Sequence, residues 1–142
     1  MRWQDATQAF DEVVGNRLNL NGAELRCLAS VIEGPRPAGT LAQLTGLTPS
    51  AITSLVDRLA RRGLLRRVRD DGDRRKVMIE ATPAAHDIAG RYYGPIAADG
   101  ARMIAGMDEA QLKAGLAFME AALALQERHL ARLQDEIAGT RD

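Results

Sequence analysis

The apolar residues of this chain change their spacing at Gly63, and the change limits the folds that the chain can adopt. Before Gly63, four apolar residues recur at helical intervals of three and four: Ile52, Leu55, Val56 and Leu59. After it, residues 65–69 and 76–81 read as two short strands, with the turn-rich residues 70–73 between them. The sequence therefore predicts a helix followed by a β-hairpin.

Two more helices are predicted on the N-terminal side. Helix-period apolar residues open the chain, and Asn21 with Glu24 three residues later forms the pattern of a capping box. The helix that starts there is expected to stop at Gly34–Pro37, because proline cannot continue a helix. The next helix is therefore expected to begin only after Pro37.

A short helix over 38–45 is expected next, with Leu41 and Leu44 directed inward. Gly46–Thr48 provides a three-residue turn, because Gly46 is a helix stop and Thr48 an N-cap before Pro49 at the first helical position. The order of helix, turn, helix and hairpin is a helix-turn-helix followed by a wing.

Positive charge is concentrated in the same region. Nine of the nineteen basic residues fall between Asp57 and Lys76 against four acids, so this segment carries about +5 while the rest of the chain carries about −5. Clustered basic residues favour polyanions because they release counterions condensed on phosphates. An arginine-rich solvated face is the alternative.

The exposed side of the predicted helix after Thr48 is polar. At about 100° per residue, the residues opposite the apolar face are Ser50, Ser54, Asp57 and Arg61, and they are flanked by Thr53 and Arg58. Small hydroxyl side chains allow a helix to enter a major groove closely and to contact base edges or phosphates. The alternative is an ordinary amphipathic surface helix beside an unrelated turn and hairpin.

Composition favours one mainly helical domain in a reducing compartment. The 142 residues are 46% hydrophobic, and the first residues contain no apolar stretch of signal-peptide length, so a cytoplasmic protein is expected. The single cysteine, Cys27, lies on an apolar helix stripe and is interpreted as a buried structural thiol rather than a redox sensor. His86 and His129 lack the spacing of a metal site. We expect no cofactor and no enzymatic activity.

The C-terminal half predicts two long helices. Thr82–Pro83 starts one, which Gly94–Pro95 is expected to bend or break. Asp108 and Gln111 start the other with a capping box. Its residues keep a heptad seam broken only by a glutamine: Leu112, Leu116, Met119, Leu123, Gln126, Leu130, Leu133 and Ile137. Such a long seam favours a partner helix, and a helix packed within one chain is the alternative.

The segment Leu41–Pro83 resembles the winged helix-turn-helix of the multiple-antibiotic-resistance regulator (MarR) family. The resemblance is most specific in Val56–Arg67, in the wing Asp70–Arg75 and in Ala81–Pro83. It implies a mainly α fold: a winged helix-turn-helix with a two-stranded β-hairpin wing and N- and C-terminal dimerisation helices. Residues 1–142 would form a single domain, with 21–82 as the winged helix-turn-helix lobe and 1–18 and 83–139 as the helical dimerisation region.

The resemblance also implies the DNA-binding residues. Those of the second helix would face the major groove: Thr48, Pro49, Ser50, Thr53 and Ser54. Arg58 would contact the DNA backbone. In the wing Asp73, Arg74 and Arg75, Arg75 would enter the minor groove and Asp73 would hold its direction. Members often carry arginine at the positions of Pro49 and Ser54, so direct base readout is expected to be modest.

The function implied is that of a homodimeric, sequence-specific transcription regulator, a repressor of a pseudo-palindromic operator. A small aromatic or phenolic effector would release it, with Tyr92 and Tyr93 as candidate pocket residues and core packing as their alternative role. Dimerisation is assigned to the seam of the last helix: Leu116, Met119, Leu123, Leu130 and Leu133. The competing interpretation is a winged-helix module that docks on proteins through that helix.

Overall fold

A computed structural model describes residues 2–69, 72 and 76–139. Within them the chain forms six α-helices and three β-strands: α1 (Arg2–Leu18), α2 (Gly22–Ile32), β1 (Arg36–Pro37), α3 (Ala38–Thr45), α4 (Pro49–Arg61), β2 (Leu65–Arg69), β3 (Val77–Ala81), α5 (Pro83–Ala105) and α6 (Glu109–Gly139). The chain divides into two compact units, Met1–Pro95 and Ile96–Asp142. The fold is mainly helical with a small antiparallel sheet, as predicted.

The core of the first unit forms where α2, α3 and α4 meet the sheet. As the sequence predicts, the inner face of α4 is buried through Ile52, Leu55, Val56 and Leu59. Leu41 of α3 and Ile79 of β3 join the same apolar cluster. Burial of this face, at roughly 1.5–3 kcal/mol per large apolar side chain, fixes which side of α4 remains at the surface.

The helix caps form as predicted. The side chain of Asn21 accepts from the Glu24 N–H at 3.0 Å, and Glu24 accepts from the Asn21 N–H at 2.8 Å. Thr48 caps α4, and Gly46 closes α3 in the left-handed region at φ 70°, where a side chain would be strained. The turn between α3 and α4 is therefore set by local chemistry.

The sheet has one strand more than the sequence predicts. β2 and β3 pair from Leu65 opposite Ala81 to Arg69 opposite Val77, which confirms the hairpin. β1, only Arg36–Pro37, pairs antiparallel with β3 and completes the order β1-β3-β2. Two residues are too few for an alternating pattern, and a proline reads as a strand breaker, although it is tolerated on an edge strand.

The inward direction predicted for Leu44 is wrong. Leu44 is 53% exposed, whereas Thr45 is buried and donates its hydroxyl to the Leu41 carbonyl at 2.7 Å. Residues four apart share a helix face more closely than residues three apart, so Thr45 takes the place behind Leu41. A helix of two turns offers too few positions for periodicity to separate these choices.

Of the bend or break predicted at Gly94–Pro95, the break does not occur, because α5 runs without interruption from Pro83 to Ala105. A proline removes one helical hydrogen bond, and a helix of 23 residues retains the bonds on either side of it. The boundary between the two compact units nevertheless falls directly after Pro95.

The second unit contains the long helix α6. Its predicted capping box forms, since Gln111 N–H donates to Asp108 at 2.8 Å and Asp108 N–H donates to Gln111 at 2.9 Å. In the single chain the apolar seam is exposed at Leu116, Met119 and Leu123, which are 61%, 53% and 59% accessible. Among the described residues, no helix combines the length and apolarity needed to cross a membrane.

Candidate DNA-binding surface

The exposed face of α4 carries a row of hydroxyl groups. Ser50, Thr53 and Ser54 are exposed, as the helical spacing predicts. Thr53 donates its hydroxyl to the Pro49 carbonyl at 2.9 Å, and Ser54 donates to the Ser50 carbonyl at 3.1 Å. With their hydrogens directed at the helix backbone, both oxygens present acceptor lone pairs to the outside.

The N-terminus of α4 offers fewer free N–H donors than an uncapped helix. Pro49 has no N–H, and the Ala51 N–H is bonded to Thr48 Oγ1 at 3.3 Å. A phosphate would therefore find little backbone donor capacity at this end, although the helix dipole still favours an anion.

Arg58 is held by a buried acid of another helix. Its Nε donates to Glu24 Oε1 at 2.6 Å, while the other carboxylate oxygen of Glu24 accepts the Asn21 N–H. The Glu24 side chain is 5% exposed and that of Arg58 is 49% exposed. The capping-box pattern predicted the bond between Asn21 and Glu24. No feature of the sequence predicted that Glu24 would also bind Arg58, which lies 34 residues away.

The guanidinium of Arg62 is hydrogen-bonded to the backbone of another part of the fold. Its two terminal nitrogens donate to the carbonyls of Asn19 at 2.9 Å and Leu18 at 2.5 Å. These carbonyls lie at the C-terminal end of α1, where helices leave acceptors without partners and favour a cation. Arg62 therefore joins the end of α4 to the corner between α1 and α2.

Two arginines of β2 also have acidic partners. Arg67 pairs with Asp57 of α4 at 2.7 Å, and Arg66 pairs with Glu80 across the hairpin. Glu24 and Glu80 come from outside the basic segment, so the surface is less positive than the segment's own count indicates. Exposed positive charge remains at positions 61, 69 and 76.

The wing tip lies mostly outside the described residues. Asp73, Arg74 and Arg75 are among the residues not described, so their predicted roles remain predictions from the resemblance. The strands on either side are defined, with Arg69 opposite Val77 at the end of the paired region. The hairpin stem therefore starts beside α4, to which the Asp57–Arg67 ion pair ties it.

Cys27 is a buried thiol, as predicted. It has no exposed surface, and burial raises its pKa to about 11, with a further contribution from the charge of Glu24. The thiol stays neutral until the pH approaches that value, so little nucleophilic thiolate exists near neutral pH.

We expect Cys27→Ser to retain DNA binding and wild-type protein treated with peroxide to remain bound. The physical reason is the lack of exposure and of thiolate, which oxidation requires. Gel-shift titrations of both proteins, with and without peroxide, measure this. Release by peroxide that disappears in Cys27→Ser would show instead that Cys27 is a redox switch.

Tyr93 packs between helices and also borders two cavities. Its hydroxyl donates to Asp11 at 2.8 Å, and its ring meets Phe10 edge to face at 5.5 Å between centroids. Burial, together with the bond to Asp11 and its charge, raises the Tyr93 pKa to about 12. Tyr92 lies beside Arg91, with the guanidinium carbon 5.7 Å from its ring centroid.

The two cavities differ in size and polarity. The larger, about 1040 Å³, lies between α1 and α2, and its lining includes Trp3, Asp11 and Arg26. The smaller, about 220 Å³, is mostly apolar and is lined by residues such as Leu25 and Ile88. Tyr93 therefore packs against α1 and also lines both cavities, whereas Tyr92 borders neither of these two cavities.

The element order and the hairpin beside α4 define a winged helix-turn-helix, a DNA-binding fold. Residues 18–76 match the model of the MarR family. The uncharacterized HTH-type transcriptional regulator YcgE of Bacillus subtilis (strain 168) is 30% identical over 129 residues, which make up 90% of this chain and 84% of that relative. The chain belongs to the MarR family of transcriptional regulators, which confirms the resemblance seen in its sequence.

Solved structures agree with this assignment. A MarR-family transcriptional regulator from Silicibacter pomeroyi is 28% identical, with a TM-score of 0.62 over 87% of this chain and 84% of that one. NadR, solved in complex with 4-hydroxyphenylacetate, is 18% identical, with a TM-score of 0.64 over 87% of each chain. The second likeness shows the fold alone.

Proposed function

We propose that this protein is a homodimeric, sequence-specific DNA-binding regulator that represses transcription, and that it acts by binding rather than by catalysis. The observation that carries the proposal is the exposed hydroxyl face of α4, flanked by Arg58 and Arg61 and continued by the basic hairpin. An apolar inner face and a polar, partly cationic outer face are what a recognition helix requires. Membership of the MarR family supports the same conclusion.

In this proposal α4 enters the major groove with Thr48, Pro49, Ser50, Thr53 and Ser54. The acceptor lone pairs of Thr53 and Ser54 suit the amino groups that adenine and cytosine display there. Arg58 contacts the DNA backbone. The wing residues Asp73, Arg74 and Arg75 approach the minor groove, where a narrow groove draws in a guanidinium.

We further propose that residues 21–82 form the DNA-binding lobe and that residues 1–18 and 83–139 form the dimerisation region. The exposed seam of α6 supports this, because a row of accessible leucines is costly in water and suits a partner helix. The seam residues are Leu116, Met119, Leu123, Leu130 and Leu133. Two-fold symmetry then places two copies of α4 on half-sites about one helical turn apart.

We also propose that a small-molecule effector controls DNA binding. A small aromatic or phenolic molecule would occupy a cavity bordered by Tyr93 and release the operator. The structure of NadR was solved with one such molecule, 4-hydroxyphenylacetate, in a protein of the same fold. The cavity between α1 and α2 has both the polar groups and the aromatic rings that such a ligand needs.

The alternative function, a module that docks on proteins through α6, is favoured only by the exposed apolar seam. Salt dependence of binding to duplex DNA separates the two. If each of two protomers neutralises at least two phosphates, log K falls with log salt at a slope of about −4 or steeper. A docking module would show a slope near zero. Arg128→Gln, which removes an exposed arginine of α6, is the control and is expected to leave the slope unchanged.

A further inference from the structure

Glu24 joins the start of α2 to the recognition helix through one buried carboxylate. One oxygen accepts the Asn21 N–H at 2.8 Å, and the other accepts Arg58 Nε–H at 2.6 Å. Glu24 is 4% exposed, although a buried carboxylate is costly unless it is paired and hydrogen-bonded. Each of its oxygens accepts a hydrogen bond, which offsets the cost of burying the carboxylate.

Arg58 retains binding capacity after this bond is made. A guanidinium has five N–H donors, and giving Nε–H to Glu24 leaves those of the two terminal nitrogens. The Arg58 side chain is 49% exposed and follows Ser54 by one helical turn, at the border of the hydroxyl face of α4. The carboxylate behind it fixes a side chain that would otherwise sample many rotamers.

We propose that Glu24 is a positioning residue for DNA binding, which holds Arg58 in the orientation that receives a backbone phosphate. The inference rests on the proposed DNA-binding function and adds to it a residue that does not itself touch DNA. The Glu24 carboxylate, the Arg58 guanidinium and the phosphate would lie in line. Glu24 would thus fix the Arg58 side chain in one orientation before DNA binds. Binding then loses less side-chain entropy.

The sign of one substitution separates positioning from simple electrostatics. Glu24→Gln can keep the capping bond to Asn21 through its amide oxygen, but it loses the charged acceptor for Arg58. If Glu24 acted only through its negative charge, removing that charge would strengthen DNA binding. Because Arg58 lies between Glu24 and the proposed phosphate, and its guanidinium pairs with the Glu24 carboxylate at 2.6 Å, we expect the loss of order to dominate.

The experiment is a double-mutant cycle on the full chain, with affinity for one duplex operator as the readout. We expect Glu24→Gln to weaken binding about three- to tenfold, the range for a side chain that must be ordered on binding. The loss should disappear when Glu24→Gln is added to Arg58→Gln. Glu33→Gln, which neutralises the exposed acid that follows α2, is the matched control and is expected not to weaken binding. Titrations are run well below the lowest melting temperature of the set.

Each outcome decides the question. A wild type that binds no duplex DNA removes the proposed function and this inference with it. If the wild type binds but Glu24→Gln has equal losses in both backgrounds, or strengthens binding, positioning is overturned while the proposed function stands. Should Glu24→Gln fail to fold, Glu24→Asp gives the test: it keeps the charge but shortens the reach to Arg58 Nε. We then expect weaker binding in the wild-type background only, and wild-type affinity or equal losses in both backgrounds would overturn the inference.

Discussion

Leu123→Glu is expected to convert the protein to a monomer or an aggregate and to abolish operator binding as a consequence. Leu123 is 59% exposed in the single chain and lies in the middle of the α6 seam. In the proposed dimer its side chain would be buried, so a carboxylate there would lack a partner at a cost of several kcal/mol. Sedimentation of the purified variant measures the assembly state, and titration with operator DNA measures the consequence.

The matched control for this prediction is Leu125→Glu. Leu125 is also exposed, at 46%, but two helical positions from Leu123 turn it by about 200° around the helix. The same substitution on that side of α6 is expected to leave the dimer intact. A fully dimeric Leu123→Glu protein would show that the seam is not the dimer interface.

Arg75→Ala is expected to weaken operator binding by about 1–3 kcal/mol, the range for a well-placed base or groove contact. The reason is the resemblance of the wing, in which Arg75 has the spacing from Asp73 that the family motif requires. Loss of a groove contact acts on the complex, so sedimentation and melting of the free protein are expected to stay nearly unchanged. Titration of one operator by each protein gives the affinities.

Arg74→Ala provides the matched control for the wing. It removes the same charge from the neighbouring position, and its loss is expected to be smaller than that of Arg75→Ala. Because long-range attraction to phosphates depends on charge more than on direction, both variants lose that part equally. Equal affinity of Arg75→Ala and wild type would show that Arg75 does not contact DNA. A larger loss of affinity in Arg74→Ala than in Arg75→Ala would show that Arg74 makes the groove contact instead.

Local chemistry made much of this fold predictable. The capping boxes at Asn21 and Asp108, the cap at Thr48 and the buried face of α4 depend on residues within one or two helical turns of one another. The same locality made the hydroxyl face predictable, since burial of one side of α4 leaves the other at the surface. Short elements are less predictable, because they contain too few positions for a periodic pattern. The exposure of Leu44 in α3 and the two-residue strand β1 were therefore not predicted.

Long-range partners were not predictable from one sequence. Arg58 is bound to Glu24, and Arg62 is bound to Leu18 and Asn19, because packing brings α4 against the corner between α1 and α2. Both arginines belong to the basic segment between Asp57 and Lys76. The charge of that segment alone does not indicate that acids and carbonyls from other elements bind some of its arginines.

We infer that α4 and the wing of a two-fold dimer bind DNA of a particular sequence. Selection of bound fragments from a random duplex library tests it most directly. We expect enrichment of one pseudo-palindromic sequence, with half-sites about one helical turn apart. Fragments that remain random after repeated selection, or a single enriched half-site without its inverted partner, would contradict the claim.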